Sequence, residues 1–134
     1  MLSALEQIKL DEGFSSKCYD DSLGIKTIGY GRNIQDVGIT RYEAEFLLAN
    51  DLDMVSKQAM RFSFYKQLKP ARRAVILNMI FNIGLTRFSG FKKMIAALNK
   101  EDYKEASIEM LDSKWAGQVG ARAIRLAKQM ESGR

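Results

Sequence analysis

Cys18-Tyr19-Asp20-Asp21-Ser22-Leu23-Gly24-Ile25-Lys26-Thr27-Ile28-Gly29-Tyr30-Gly31 is the stretch on which the fold turns. Asp20, Asp21, Ser22 and Gly24 are turn formers: short polar side chains that bond the nearby backbone, and a residue free to take positive φ. The flanks are rich in Thr, Ile and Tyr, which suit a pleated, half-buried surface. The pattern predicts strand and turn over Tyr19 to Gly24 and a returning strand from Ile25 to Tyr30. It is the only convincing β region of the chain.

Reading upstream, Ser3-Ala4-Leu5-Glu6 is a capping box, a hydroxyl answered three residues later by a carboxylate. Leu5 and Ile8, flanked by Leu2 and Leu10, give a first helix with one apolar side, closing near Glu12-Gly13. Downstream, Thr40-Arg41-Tyr42-Glu43 is a second capping box, and Ala44, Leu47, Leu48, Leu52 and Val55 follow at helical spacing. Pro70, the only proline, suits the first turn of a helix. Its continuation from Ala74 to Phe81 is apolar nearly all round and predicts a buried central helix. Gly84 to Gly90 reads as a loop. Two short helices are then expected, on Phe91, Met94, Ile95 and Leu98, and on Tyr103, Ala106, Met110 and Leu111. Trp115 opens a link to a last helix through Arg122, Ile124, Arg125, Ala127 and Met130. The expected fold class is α+β, mainly helical.

Composition limits the chemistry. The chain has no histidine, so histidine triads and the commonest proton shuttle are excluded. A single cysteine, Cys18, permits no internal disulfide and, without histidine partners, no zinc cluster. It reads as a half-buried strand residue. The seven methionines read as gap-fillers in the core. No metal or cofactor is expected. Acid–base chemistry falls to carboxylates, Lys, Tyr, Ser, Thr or water. The net charge of +5 favours an anionic partner such as nucleic acid, anionic lipid or a wall polymer, and fits a merely soluble basic domain equally well. A nucleic-acid role lacks a recognition motif. No apolar run reaches the roughly 18 residues of a membrane helix, and no secretory signal is visible at the N-terminus.

Position then singles out two carboxylates. Glu12 falls at the negative end of the first helix dipole, which disfavours its anion; partial burial would add to that. A protonated carboxyl is what a glycosidase acid requires, although a frayed-end surface Glu fits the same position. Asp21 follows nine residues later at the hairpin, with Thr27 on the returning strand. Hydrolysis with inversion uses an acid on one face of the sugar and a base-held water on the other, the carboxyls about 6.5–9.5 Å apart. Asp20, Asp21 and Ser22 read equally well as plain turn residues.

Together Asp11-Glu12-Gly13, Tyr19-x-Asp21-x-x-Gly24 and Thr27-Ile28-Gly29-Tyr30-Gly31 resemble the phage-type lysozymes. The resemblance continues, in order, through Arg72-Arg73, Asn78-Met79-Ile80-Phe81, Gly84, Gly90-Phe91, Ser113-Lys114-Trp115 and Arg122. It implies a lysozyme-like fold in a single domain over 1–134. A small N-terminal β-hairpin lobe would occupy about 13–38. A C-terminal helical bundle would occupy about 60–134, joined by helix 1–12. It implies that Glu12, Asp21 and Thr27 are catalytic, in cleavage of the β-1,4 bond between N-acetylmuramic acid and N-acetylglucosamine of bacterial peptidoglycan by a monomer that neither binds nucleic acid nor inserts in membranes. Arg122 would face Glu12, Arg125 would lie near Asp11, and Phe81 would offer an aromatic cleft floor or simple core packing. Trp115 shares that ambiguity with core favoured, and Asn78 reads as satisfying buried backbone. Where the T-even phage members of that family carry His after Gly31 this chain has Arg32, a candidate binding or supporting residue. The stretch from Gly31 to Thr40 is shorter than in those enzymes and implies a trimmed β lobe. The phage resemblance also implies release to the wall through a holin-type pore. A non-catalytic wall-binding or structural domain, and a chitinase-like enzyme, are the alternatives.

Overall fold

The computed structural model describes residues 1–134. It has the expected α+β organisation: a small N-terminal antiparallel sheet and seven helices. The chain divides into two compact units, Met1–Leu47 and Leu48–Arg134.

In the first unit, helix α1 covers Ala4–Glu12. Both halves of its capping box form: the Glu6 N–H donates to Ser3 Oγ at 3.2 Å, and the Ser3 N–H to Glu6 Oε2 at 2.8 Å. The helix stops at Gly13, whose φ of 67° and ψ of 167° no longer continue it. Strands β1 (Ser15–Asp20), β2 (Lys26–Gly29) and β3 (Arg32–Asn33) form a three-stranded antiparallel sheet in that order. Thr27 stands opposite Tyr19 on one side and Asn33 on the other. The sheet exceeds the hairpin expected. β1 begins at Ser15 rather than near Cys18, with an irregularity between Ser15 and Tyr19. β3 has only two residues, neither of them β-branched, so the sequence carries no signal for it. Cys18 is exposed, not half-buried.

Helix α2 spans Arg41–Ala59. Its predicted capping box is present, with the Glu43 N–H on Thr40 Oγ1 at 3.1 Å and the Thr40 N–H on Glu43 Oε1 at 2.9 Å. Its buried residues, Val55 and Ala59, lie at its far end in the second unit.

The helical unit continues with a 3₁₀ turn at Tyr65–Gln67 and helix α3, Pro70–Ser89, which has Pro70 in its first turn as expected. The predicted loop from Gly84 to Gly90 is instead a break and a resumption. Gly84 leaves helical geometry (φ 82°, ψ 162°), and the chain coils again to Ser89 because Phe88 is drawn fully into the core. Positive φ at this position is available to glycine at little cost. Helices α4 (Lys92–Asn99), α5 (Tyr103–Leu111), α6 (Lys114–Val119) and α7 (Ala121–Ser132) follow, α5 packing on α4 and α7, and α7 also on α3 and α6. The core is built on Val75, Ile76, Met79, Ile80, Phe88, Met94, Leu98, Met110 and Met130. Four of the seven methionines are thus core residues, whereas Met1, Met54 and Met60 are exposed. Trp115 is buried, edge-on to Phe91, and so takes its core role. No single helix is long and apolar enough to cross a membrane.

Candidate active site

Glu12 is the last residue of α1, and its side chain is exposed; the burial considered for it is absent. The carboxylate rests against the turn between β2 and β3. At Gly31 (φ 73°), an added Cβ would lie 2.7 Å from Glu12 Oε2 and 2.8 Å from its Cδ. Gly31 therefore does two things: it takes a backbone conformation that side chains resist, and it leaves the space that the carboxylate occupies. In the sequence Gly31 reads only as the close of the Thr27–Gly31 motif, and its contact with the Glu12 carboxylate has no local signal beyond the paired glycines.

At the other end of β2, Asp21 organises the β1–β2 turn. Its Oδ1 accepts the N–H groups of Leu23 (2.8 Å) and Ile25 (2.9 Å), while its own N–H donates to Ile25 O at 3.0 Å. This is an aspartate whose side chain reproduces a backbone turn. It leaves Oδ2 for another donor. Thr27 is buried at 4% exposure and its Oγ1 donates to Ile25 O at 2.8 Å. Ile25 thus links the two residues: its N–H fixes the Asp21 carboxylate and its carbonyl fixes the Thr27 hydroxyl. With its proton directed at that carbonyl, the hydroxyl oxygen keeps lone pairs for an incoming donor. The turn reading of Asp21 is thus met by these bonds, which hold the carboxylate still and engage only its Oδ1.

Arg32 is occupied structurally. Its guanidinium makes two bonds to Glu43, Nη1 to Oε1 at 3.1 Å and Nη2 to Oε2 at 2.6 Å, and a third from Nη1 to Gly38 O at 3.0 Å. The fork ties the sheet to the start of α2. Bonded by Arg32 and by the Thr40 backbone N–H, Glu43 is held down to about 2 from 4.5. A depressed carboxylate stabilises the fold above its unfolded value, and that contribution disappears as pH falls through the folded value. Thermal melting of wild type and Glu43→Gln should therefore converge between pH 4.5 and about 2, with wild type the more stable above that window. Parallel melting curves across it would mean that the pair contributes nothing.

The remaining candidates lie in the helical unit. Arg122 is held by Asn78, whose Oδ1 accepts from its Nε at 2.9 Å and Nη2 at 2.7 Å. Asn78 thus fixes a guanidinium between α3 and α7 instead of satisfying backbone. One turn on, Asn82 Oδ1 takes the Trp115 indole N–H at 2.8 Å. Arg125 is exposed on α7. Phe81 is 45% exposed and lies within α3, not at its end, so simple core packing does not account for it.

One carboxylate, Glu12, rests beside the Gly31 turn, and a second, Asp21, braces the neighbouring β1–β2 turn. The family described as Phage lysozyme matches residues 9–130. The chain belongs to this family. Members of it are lysozyme-type hydrolases that act on peptidoglycan, and this member has Glu12, Asp21 and Thr27 inside the matched region. The chain is 31% identical over 123 residues to the endolysin of Salmonella phage P22, covering 86% of this chain and 83% of that one. It is 27% identical over 164 residues to probable T4-type lysozyme 1 of Dictyostelium discoideum, covering 99% and 96%. It is also 27% identical to part of the pre-baseplate central spike protein of Enterobacteria phage T4, covering 93% of this chain and 27% of that protein.

Proposed function

We propose that the chain is an endo-acting muramidase cutting the β-1,4 bond between N-acetylmuramic acid and N-acetylglucosamine, with inversion at the anomeric carbon. Glu12 is the acid: it gives its proton to the glycosidic oxygen as the C1–O bond breaks. Asp21, through the oxygen left free by the turn, accepts a proton from water, and Thr27 receives a second hydrogen bond from that water. The water adds to C1 on the face opposite the departing oxygen. The observation that supports this reading most is the Ile25 linkage, which holds Asp21 and Thr27 together one turn away from the Gly31 seat of Glu12. In this reading the enzyme reaches its substrate once a separate pore-forming agent has let it out.

Proton NMR of the first product is the test of stereochemistry. An α-anomer from the β-linked substrate is expected. A β-anomer would make Asp21 a nucleophile or bring in substrate assistance. Parallel assays on peptidoglycan and chitin separate a muramidase from a chitinase-like enzyme, and a non-catalytic wall-binding domain would adsorb to wall without releasing reducing ends from it.

A further inference from the structure

Two aromatic side chains stand in the open beside the acid. Phe14, two residues beyond Glu12, is 68% exposed, and Tyr30, next to Gly31, is 46% exposed. Their ring centroids are 5.5 Å apart, tilted by 46°. Aromatic rings are normally the first side chains to be covered, because each hides a large apolar area. Here the two rings lie against each other and stay partly in the open, one from the residue two past Glu12 and one from the residue before Gly31. A third group completes the cluster. Lys9, one turn before Glu12 on α1, places its Nζ 5.6 Å from the Tyr30 ring centroid. None of the chain's ion pairs involves it.

We propose that Lys9, Phe14 and Tyr30 form a subsite for a carboxylate-bearing sugar, and this rests on the muramidase reading above. A pyranose presents a face of C–H groups that packs on an aromatic surface, and the two tilted rings offer such a surface. An ammonium at the rim of that surface pairs with a carboxylate projecting from the ring, as the lactyl group of N-acetylmuramic acid does. The three groups divide the recognition. Phe14 and Tyr30 hold any hexosamine of the strand, and Lys9 distinguishes the acidic sugar from its neutral neighbour.

The experiment measures equilibrium binding by the Glu12→Gln protein, which retains the ligand uncut. The two probes are chitotetraose, neutral throughout, and the tetrasaccharide alternating N-acetylglucosamine with N-acetylmuramic acid. Phe14→Ala should weaken both by about ten-fold, and Tyr30→Leu should do the same with less disturbance of the turn than alanine would cause. Lys9→Met should weaken only the acidic tetrasaccharide, by about five-fold, and raising the salt to about 1 M should remove the difference between the two probes. Equal weakening of both probes by Lys9→Met, or unchanged binding in Phe14→Ala, overturns the subsite. Circular dichroism of each variant identifies any that fails to fold, and Phe14→Ala, altering a mostly exposed residue, keeps the test decisive. Failure here is distinguishable from failure of the muramidase reading. Wild type that releases reducing ends from wall while binding is indifferent to these three residues loses the subsite and keeps the function.

Discussion

Glu12→Gln should fold like the wild type and release reducing ends from peptidoglycan about 10²–10⁴-fold more slowly, the usual contribution of a positioned general acid. The folding half follows from position. Glu12 is the final residue of α1 and exposed, touching the Gly31 turn with a side chain whose shape glutamine keeps, and helix capping at the other end rests on Ser3 and Glu6. The amide has the shape of the carboxyl but no proton to give to a departing sugar oxygen. Circular dichroism and a reducing-sugar assay on the same sample check both halves together. Loss of activity with loss of fold would say nothing of catalysis; retained activity with retained fold would remove Glu12 from the mechanism.

The second large effect is expected at a residue with no functional group. Gly31→Ala meets two penalties that can be separated. Its φ of 73° lies where a side chain costs about 1–2 kcal/mol. Its new methyl would also sit 2.7 Å from Glu12 Oε2. Because the opposing atoms belong to the end of a flexible side chain, Glu12 yields by swinging away, so the steric part registers in activity more than in stability. A displacement of about 1 Å of a catalytic group is worth about 10²-fold in rate, and a loss of that order is expected. Gly38→Ala is the matched control. Its φ of 68° imposes the same kind of backbone strain, while nothing lies within 4 Å of the added carbon. Similar destabilisation in both variants, with activity lost only in Gly31→Ala, is the predicted pattern. Equal activities would mean that the seat of the Glu12 carboxylate is immaterial.

How much of this was legible beforehand depended on how local the cause was. Both capping boxes, the stop at Gly13 and the Pro70 helix start were readable because each is decided within four residues by one side chain and one backbone group. The hairpin was readable for the same reason, since Asp21 and Gly24 make the turn by themselves. Glu12, Asp21 and Thr27 could be nominated from the sequence, but the means by which Asp21 and Thr27 are held could not. The Ile25 peptide that joins them has no side-chain signature.

What was missed is long-range or depends on burial. The Asn78–Arg122 and Asn82–Trp115 bonds join residues 44 and 33 positions apart, and nothing in an apolar helix pattern says which amide meets which donor. Arg32 could be seen as a departure from the family, yet its pairing with Glu43 could not, because Glu43 was already explained as half of a capping box. Gly84 was correctly marked as a breaker, but the resumption of helix after it depends on Phe88 finding the core. Phe81 is a different case: an aromatic on an apolar helix face suits a cleft floor or the core equally, and only its 45% exposure argues against simple core packing.

Which bond is cut, and whether Glu12 cuts it, is decided by mass spectrometry of the soluble fragments released from purified sacculi, after borohydride reduction to mark the new ends. Glycan fragments whose reduced terminus is N-acetylmuramic acid are expected from wild type and not from Glu12→Gln. Fragments ending in reduced N-acetylglucosamine, in a muramic acid that cannot be reduced, or in cut peptide alone would contradict the muramidase reading.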